Sequence, residues 1–204
     1  AVITPARPSA QRHPADSNRA KTMLISDLLS PELIRCDVHA GSKKRLLELI
    51  SEQLATSSDE FTQREIFESL NARERLGSTG LGHGVAIPHG RVRGASSVTA
   101  SFFRLAKPLA FDAVDSQPVD LLFALAVPED CGEDHLKLLA HIAELFSDSE
   151  LLEELRSAES PGQLLTLLSR RSNFHMLPSR SPAKAKSTRP SRFTSIRAGV
   201  DRPL

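Results

Sequence analysis

Residues 119–127, Val-Asp-Leu-Leu-Phe-Ala-Leu-Ala-Val, carry a single polar residue in nine. The run is well short of the ~20 apolar residues that cross a bilayer. It is also too continuous for a strand with one wet face, in which apolar and polar residues would alternate. It is read as a central strand covered on both sides. Such a strand needs helices above and below it, and that need constrains the reading of the rest of the chain.

The flanking segments supply them. In 41–55, Leu46, Leu47, Ile50 and Leu54 recur at helical spacing behind a Ser42 cap. In 62–77, Thr62 and Glu65 stand at capping-box spacing, Ile66, Phe67 and Leu70 share one side, and Gly77 ends the run. Residues 133–148 offer Leu136, Leu139, Ala143 and Phe146 as an expected buried stripe. Residues 160–169 open on a Ser160 cap, with Pro161 at the first helical position and Gln163 completing the box. Further strands are expected at 85–87 and 98–105. This order predicts an α/β (α+β) fold: a single domain whose mixed β-sheet is flanked by helices on both sides, with disordered basic tails.

A chain of 204 residues suits one domain with tails, and nine Phe with no Trp or Tyr leave a mainly aliphatic core. The formal net charge of +1 conceals a division. Residues 22–168 hold thirteen bases and twenty-three acids, a net of −10, whereas 169–204 hold nine bases and one acid. The expected organisation is a disordered extension over 1–22, the folded domain over 23–172 and a basic disordered tail over 173–204. The Ser-, Pro-, Lys- and Arg-rich composition of the last segment cannot bury enough surface to offset chain entropy. The first twenty residues lack the apolar block of a secretory signal; an Arg-containing, acid-poor start is shared with transit peptides, and a solvated extension is the plainer reading. Two cysteines, Cys36 and Cys131, have no motif spacing and fit a reducing compartment. A cytoplasmic location is expected, with no membrane insertion and no nucleic-acid partner.

Of seven histidines, three sit where chemistry is plausible: His83, His89 and His135. His89 lies in Gly-His-Gly-Val-Ala-Ile-Pro-His-Gly-Arg, residues 82–91. Pro88 is expected to stop the strand and fix the approach to His89. Gly90 lets the backbone turn or admit a close neighbour. The glycines at 77, 80, 82, 84 and 90 suggest an open loop with an accessible imidazole. Neutral imidazole is a nucleophile. A phosphoryl group on it would be strongly anionic and would need donors. Arg73, in the helix leading into the loop, and His135, near the start of a later helix, are candidate donors, and that helix N-terminus adds positive potential. Ser78 and Thr79 offer hydroxyls to the site or to the loop itself. His83 is read as an ordinary turn residue.

The stretch Arg-Glu-Arg-Leu-Gly-Ser-Thr-Gly-Leu-Gly-His-Gly-Val-Ala-Ile-Pro-His-Gly-Arg, residues 73–91, resembles the active-site signature of phosphotransferase-system enzyme IIA domains of the fructose–mannitol class. The resemblance extends from about residue 24 to 168, and 25–38, 111–130 and 134–148 look most like the nitrogen-regulatory subgroup. It implies a mixed sheet flanked by helices, a type-2 enzyme IIA domain over 23–172, and His89 as acceptor of a phosphoryl group from an HPr-type carrier. Arg73 and His135 match the family's two supporting residues, with Ser78, Thr79, Pro88 and Gly90 around them. No cofactor and no metal are implied, and the activity is phosphotransfer between proteins rather than turnover of a small molecule.

Three functions compete at this point. The first is a regulatory phosphocarrier of the nitrogen-related phosphotransferase system, signalling to target proteins such as a kinase or an ion-transport protein. The second is a free-standing, sugar-specific enzyme IIA that passes phosphate to a transporter IIB domain. Sugar-specific components are often fused to further modules, and a chain of this length leaves no room for one, which favours the regulator. The third is a hydrolase whose metal is held by His83, His89 and His135; no carboxylate or cysteine stands at a recognisable ligand spacing.

Overall fold

A computed structural model describes residues 25–172. They run as α1 (Ile25–Leu28), a 3₁₀ turn (Pro31–Leu33), β1 (Ile34–Val38), α2 (Lys43–Ala55), α3 (Gln63–Arg75), β2 (Gly80–Gly82), β3 (Val85–Ala86), β4 (His89–Val92), β5 (Thr99–Leu109), β6 (Val119–Pro128), α4 (Glu133–Leu145), α5 (Ser149–Ser157) and α6 (Pro161–Ser172). The expectations for the tails, 1–22 and 173–204, lie outside the described residues.

The apolar run becomes β6, at the centre of a mixed sheet ordered β1-β5-β6-β3-β2, with β4 also paired to β6. β5 lies antiparallel on one side of β6; β3 and β4 lie parallel on the other. Alternate residues of β6 feed two separate cores. Leu121, Phe123, Leu125 and Val127 join Phe102 and residues of α1, α4, α5 and α6. Leu122, Ala124 and Ala126 join Phe103 and residues of α2 and α3. Both faces of the strand are therefore dry, as its composition requires. Each fully buried Leu or Phe adds about 1.5–3 kcal/mol of transfer free energy, so the two layers, not hydrogen bonding, hold the helices on the sheet. Phe102, Phe123 and Phe146 also meet ring to ring, at 6.1–6.5 Å between centroids.

The helix signals behave as local chemistry dictates. Ser42 accepts from the Arg45 amide, and Thr62 and Glu65 form both halves of a capping box. In α4, Phe146 is buried and Leu139 and Ala143 pack partly buried against the core as expected, but Leu136 does not. Leu136 is 63% exposed, while His135, Leu138, Ile142 and Leu145 are buried. Those four stand at i, i+3, i+7 and i+10, one face of a 3.6-residue helix, and this phase turns His135 inward. α5 has no counterpart among the elements expected from the sequence; Asp148 caps it through the Glu150 and Leu151 amides.

Pro88 does follow the end of β3, which stops at Ala86, but pairing to β6 continues beyond it. It opens a gap in the ladder on β6: β3 pairs Val85 and Ala86 with Leu121 and Leu122, and β4 resumes the same parallel pairing from His89 opposite Leu125. Pro88 lacks a donor, but its carbonyl still accepts from the Leu125 amide at 2.9 Å. His89 thus sits half-buried within a sheet rather than beyond its end.

Candidate functional site

His89 is held from both ring nitrogens. Nδ1 lies 2.8 Å from the Ile87 carbonyl oxygen, and the Arg73 Nε–H donates to Nε2 at 3.1 Å. A carbonyl only accepts and a guanidinium only donates, so the ring is the Nδ1–H tautomer with its lone pair on Nε2. Burial holds its pKa below the ordinary value of 6.5, with Arg73 adding to the effect and the Ile87 carbonyl and Glu74 opposing it. The imidazole is therefore kept neutral, with its free lone pair directed at a cation.

Arg73 reaches this position from the last turn of α3, where a cation suits the helix dipole, and its Nη1 also donates to the Gly77 carbonyl at 3.0 Å. The reach depends on Gly90. A Cβ there would stand 3.0 Å from the Leu70 amide nitrogen, so only glycine lets α3 lie this close to β4. Ser69 fastens the contact by donating to the Arg91 carbonyl at 2.7 Å. The close neighbour that Gly90 admits is thus the chain's own helix. Gly80 is similarly tight against Ala113, at 2.8 Å from its Cα, so the glycine segment is packed rather than open.

His135 faces His89 with ring centroids 5.5 Å apart. It is 6% exposed, and neither ring nitrogen meets a hydrogen-bond partner among the described residues. Burial lowers its pKa, and His89, Arg91 and Arg73 lower it further. It lies in the first turn of α4, whose N-cap Gly132 supplies no side-chain cap, so the first-turn amides are not met by a capping side chain.

The hydroxyls of Ser78 and Thr79 serve the loop. Ser78 donates to the Phe111 carbonyl and accepts from the Gly80 amide. Thr79 donates through both its amide and its hydroxyl to Glu74. Glu74, beside Arg73, is buried and pairs with Lys43 at 2.6 Å. Sequence reasoning gave neither Lys43 nor the Ile87 carbonyl a part; a pairing between residues thirty-one apart leaves no local signal, although a buried acid next to Arg73 needed a cation from somewhere. His83 stands in the β2–β3 turn at φ 55°, exposed, its amide on Asp115 and its carbonyl on Arg156. Among the described residues no group of three or more His, Cys, Asp or Glu could hold a metal ion, so the three-histidine reading loses its ligand set.

A neutral, oriented imidazole facing an arginine, with a second imidazole and a helix start without a side-chain cap beside it, has the chemistry to act as a nucleophile toward an anionic group. Residues 27–171 match the family model "Phosphoenolpyruvate-dependent sugar phosphotransferase system, EIIA 2". The chain belongs to this family and is a phosphotransferase-system phosphocarrier domain. It is 42% identical over 153 residues, 74% of its length, to the nitrogen regulatory protein of Escherichia coli K12, covering 93% of that protein. It is 44% identical over 144 residues to the nitrogen regulatory protein of Pseudomonas aeruginosa, at 71% and 94% coverage. Among solved structures, nitrogen regulatory protein IIA-Ntr of Neisseria meningitidis superimposes with a TM-score of 0.68 at 42% identity, over 71% of this chain and 98% of that one. Among the described residues no helix is long and apolar enough to cross a membrane.

Proposed function

We propose that this chain is a regulatory phosphocarrier of the nitrogen-related phosphotransferase system, cytoplasmic, with residues 23–172 as its working domain and His89 as its phosphoryl acceptor. The observation that carries the reading is the ring geometry of His89. Its Nδ1–H is engaged by the Ile87 carbonyl, and its Nε2 lone pair faces Arg73.

In the reaction, the Nε2 lone pair attacks the phosphorus of a phosphohistidine on an HPr-type carrier. The new N–P bond forms as the carrier's N–P bond breaks, and the electron pair returns to the carrier's ring. The His89 ring gains positive character as the bond forms, and the Ile87 carbonyl opposite Nδ1–H stabilises that charge more in the transition state than in the resting protein. Arg73 gives up its bond to Nε2 and donates to a phosphoryl oxygen instead. His135, whose ring nitrogens meet no hydrogen-bond partner among the described residues, gains one when the phosphoryl group arrives. Leu76 and Leu136, 85% and 63% exposed, follow Arg73 and His135 closely in the chain and offer apolar contact to a docking carrier.

The regulatory role rests on the relatives: those 41–44% identical are named nitrogen regulatory proteins, against 34% for a "PTS system fructose-specific EIIA component" of Haloferax volcanii. A phosphoryl group adds about −1.5 to −2 at the centre of a docking face and expels a partner by like charge and desolvation. Unphosphorylated protein therefore binds its kinase or ion-transport target, and phosphorylation releases it.

The test is incubation with enzyme I, an HPr-type carrier and phosphoenolpyruvate, followed by intact mass at neutral pH. One phosphoryl group is expected on the wild type and none on folded His89→Ala. Full phosphorylation of that variant would remove His89 as the acceptor. Efficient onward transfer to a sugar-specific IIB domain, with identical target binding by His89→Ala and His89→Asp, would make the chain a transport component instead.

A further inference from the structure

We propose that Lys43 is a positioning residue for the acceptor, acting on the His89 ring through Glu74, Thr79 and Ile87. The proposal rests on the reading of His89 as acceptor. Lys43 is the first residue of α2, and that helix has three bases and no acid in its first turn. Cations there oppose the helix dipole, so helix stability does not account for it. Its contacts do. Nζ pairs with Glu74 Oε1 at 2.6 Å, donates to the Phe111 carbonyl at 2.9 Å, and stands 4.4 Å from the centroid of the Phe111 ring. Asp112, at 3.1 Å, is largely exposed and adds little.

From Glu74 the connection runs without a break to the acceptor. The Thr79 amide and hydroxyl donate to the Glu74 carboxylate, the hydroxyl at 2.6 Å. The Thr79 carbonyl accepts from the Ile87 amide at 3.0 Å. The Ile87 carbonyl accepts from His89 Nδ1–H at 2.8 Å. Ile87 is thus fixed on its amide side by Thr79, and its carbonyl side enters Pro88, whose ring locks its own φ and restricts the residue before it. Ile87 is also buried in the core and the Pro88 carbonyl accepts from the Leu125 amide, so the Thr79 contact acts together with these to set the direction of the carbonyl that selects the His89 tautomer. Glu74 is 7% exposed in its side chain, and a buried carboxylate keeps such a geometry only while its cation is present. Lys43 supplies that cation. Remove it, and Glu74 turns toward water, Thr79 loosens, and the Ile87 carbonyl holds Nδ1–H less firmly.

The experiment compares wild type, Lys43→Met, Lys43→Arg and the double variant Lys43→Met/Glu74→Gln. Two quantities are read. One is the pair of ring ¹⁵N shifts of His89 in the unphosphorylated protein. The other is kcat and KM for phosphoryl acceptance from the phosphorylated HPr-type carrier. Lys43→Met is expected to move the ring from a nearly pure Nδ1–H tautomer to a mixture. It is expected to lower kcat about tenfold, the worth of one charge-assisted hydrogen bond, with KM nearly unchanged. Lys43→Arg returns both toward wild type. Should Lys43→Met fail to fold, the double variant removes both buried charges together and is read in its place. Wild-type ring shifts in a folded variant overturn the proposal, whatever the rate. A wild type that accepts no phosphate overturns the reading of His89 as acceptor, and the ring shifts then decide the role of Lys43 alone.

Discussion

His89 and His135 face each other across 5.5 Å and are held in opposite ways. His89 is oriented by hydrogen bonds at both ring nitrogens and is half-buried. His135 lies on the inward stripe of α4, in a buried site where neither ring nitrogen meets a hydrogen-bond partner among the described residues. A folded chain rarely leaves such a group unmet, because each orphaned buried polar atom costs about 1–3 kcal/mol. The contrast teaches a division of labour. The proposed acceptor has its resting state satisfied, so its lone pair points one way before any partner arrives. The second imidazole is left unsatisfied at rest, so its interaction is reserved for an anion that comes later.

The sharpest way to break this contrast is to remove the cation from the satisfied histidine. Arg73→Ala is expected to slow phosphoryl acceptance roughly ten- to a hundredfold, the loss of a charge-assisted bond made mainly in the transition state. It also shifts the pH profile. The lowered pKa of His89 keeps the neutral nucleophile at and above the ordinary value of 6.5, and acceptance is lost as pH falls through the lowered value. Burial is the main cause and Arg73 a lesser one, so the variant's midpoint moves upward. An unchanged rate and midpoint, measured by stopped quench from pH 5 to 8, would show Arg73 to be a bystander.

A smaller effect, with two signs, is expected at the unsatisfied histidine. His135→Leu should slow acceptance about tenfold and yet raise stability by about 1 kcal/mol, because an apolar side chain of similar volume removes two orphaned atoms. The stability gap should widen in acid. The folded pKa of His135 is lowered, so below about 6.5 the unfolded chain binds the proton first, and wild type loses stability as pH falls while the leucine variant is spared that loss. Urea titrations at pH 7.5 and 5.5 measure both terms. A variant that is less stable and equally fast would make His135 a core residue and erase the comparison.

How far these features were legible in the sequence follows from the range of the interactions behind them. β6 and the stripes of α2 and α3 are written in local periodicity, and their caps lie within three residues of what they cap. β1, β2 and β4 are not. β1 exposes Arg35 and Asp37 on an edge of the sheet, β2 is Gly-Leu-Gly, and β4 reads as a loop until β6 pairs with it. In α4, apolar character alone points Leu136 inward, whereas the phase of Leu138, Ile142 and Leu145 turns His135 in and Leu136 out. His89, Arg73 and His135 could be picked out from motif and chemistry. The Lys43–Glu74 pair and the Ile87 carbonyl could not, since residue type says nothing of a backbone oxygen, and contact between α2 and α3 is a property of the fold.

The account's central claim is that the Ile87 carbonyl fixes Nε2 of His89 as the reacting atom. The most direct measurement is a long-range ¹H–¹⁵N correlation of the histidine rings in ¹⁵N-labelled protein, before and after phosphorylation by the HPr-type carrier at neutral pH. The account predicts an Nδ1–H tautomer for His89 at rest and a single phosphorus–nitrogen coupling at His89 Nε2 afterwards. A phosphoryl group on Nδ1, or on either nitrogen of His135, would contradict it.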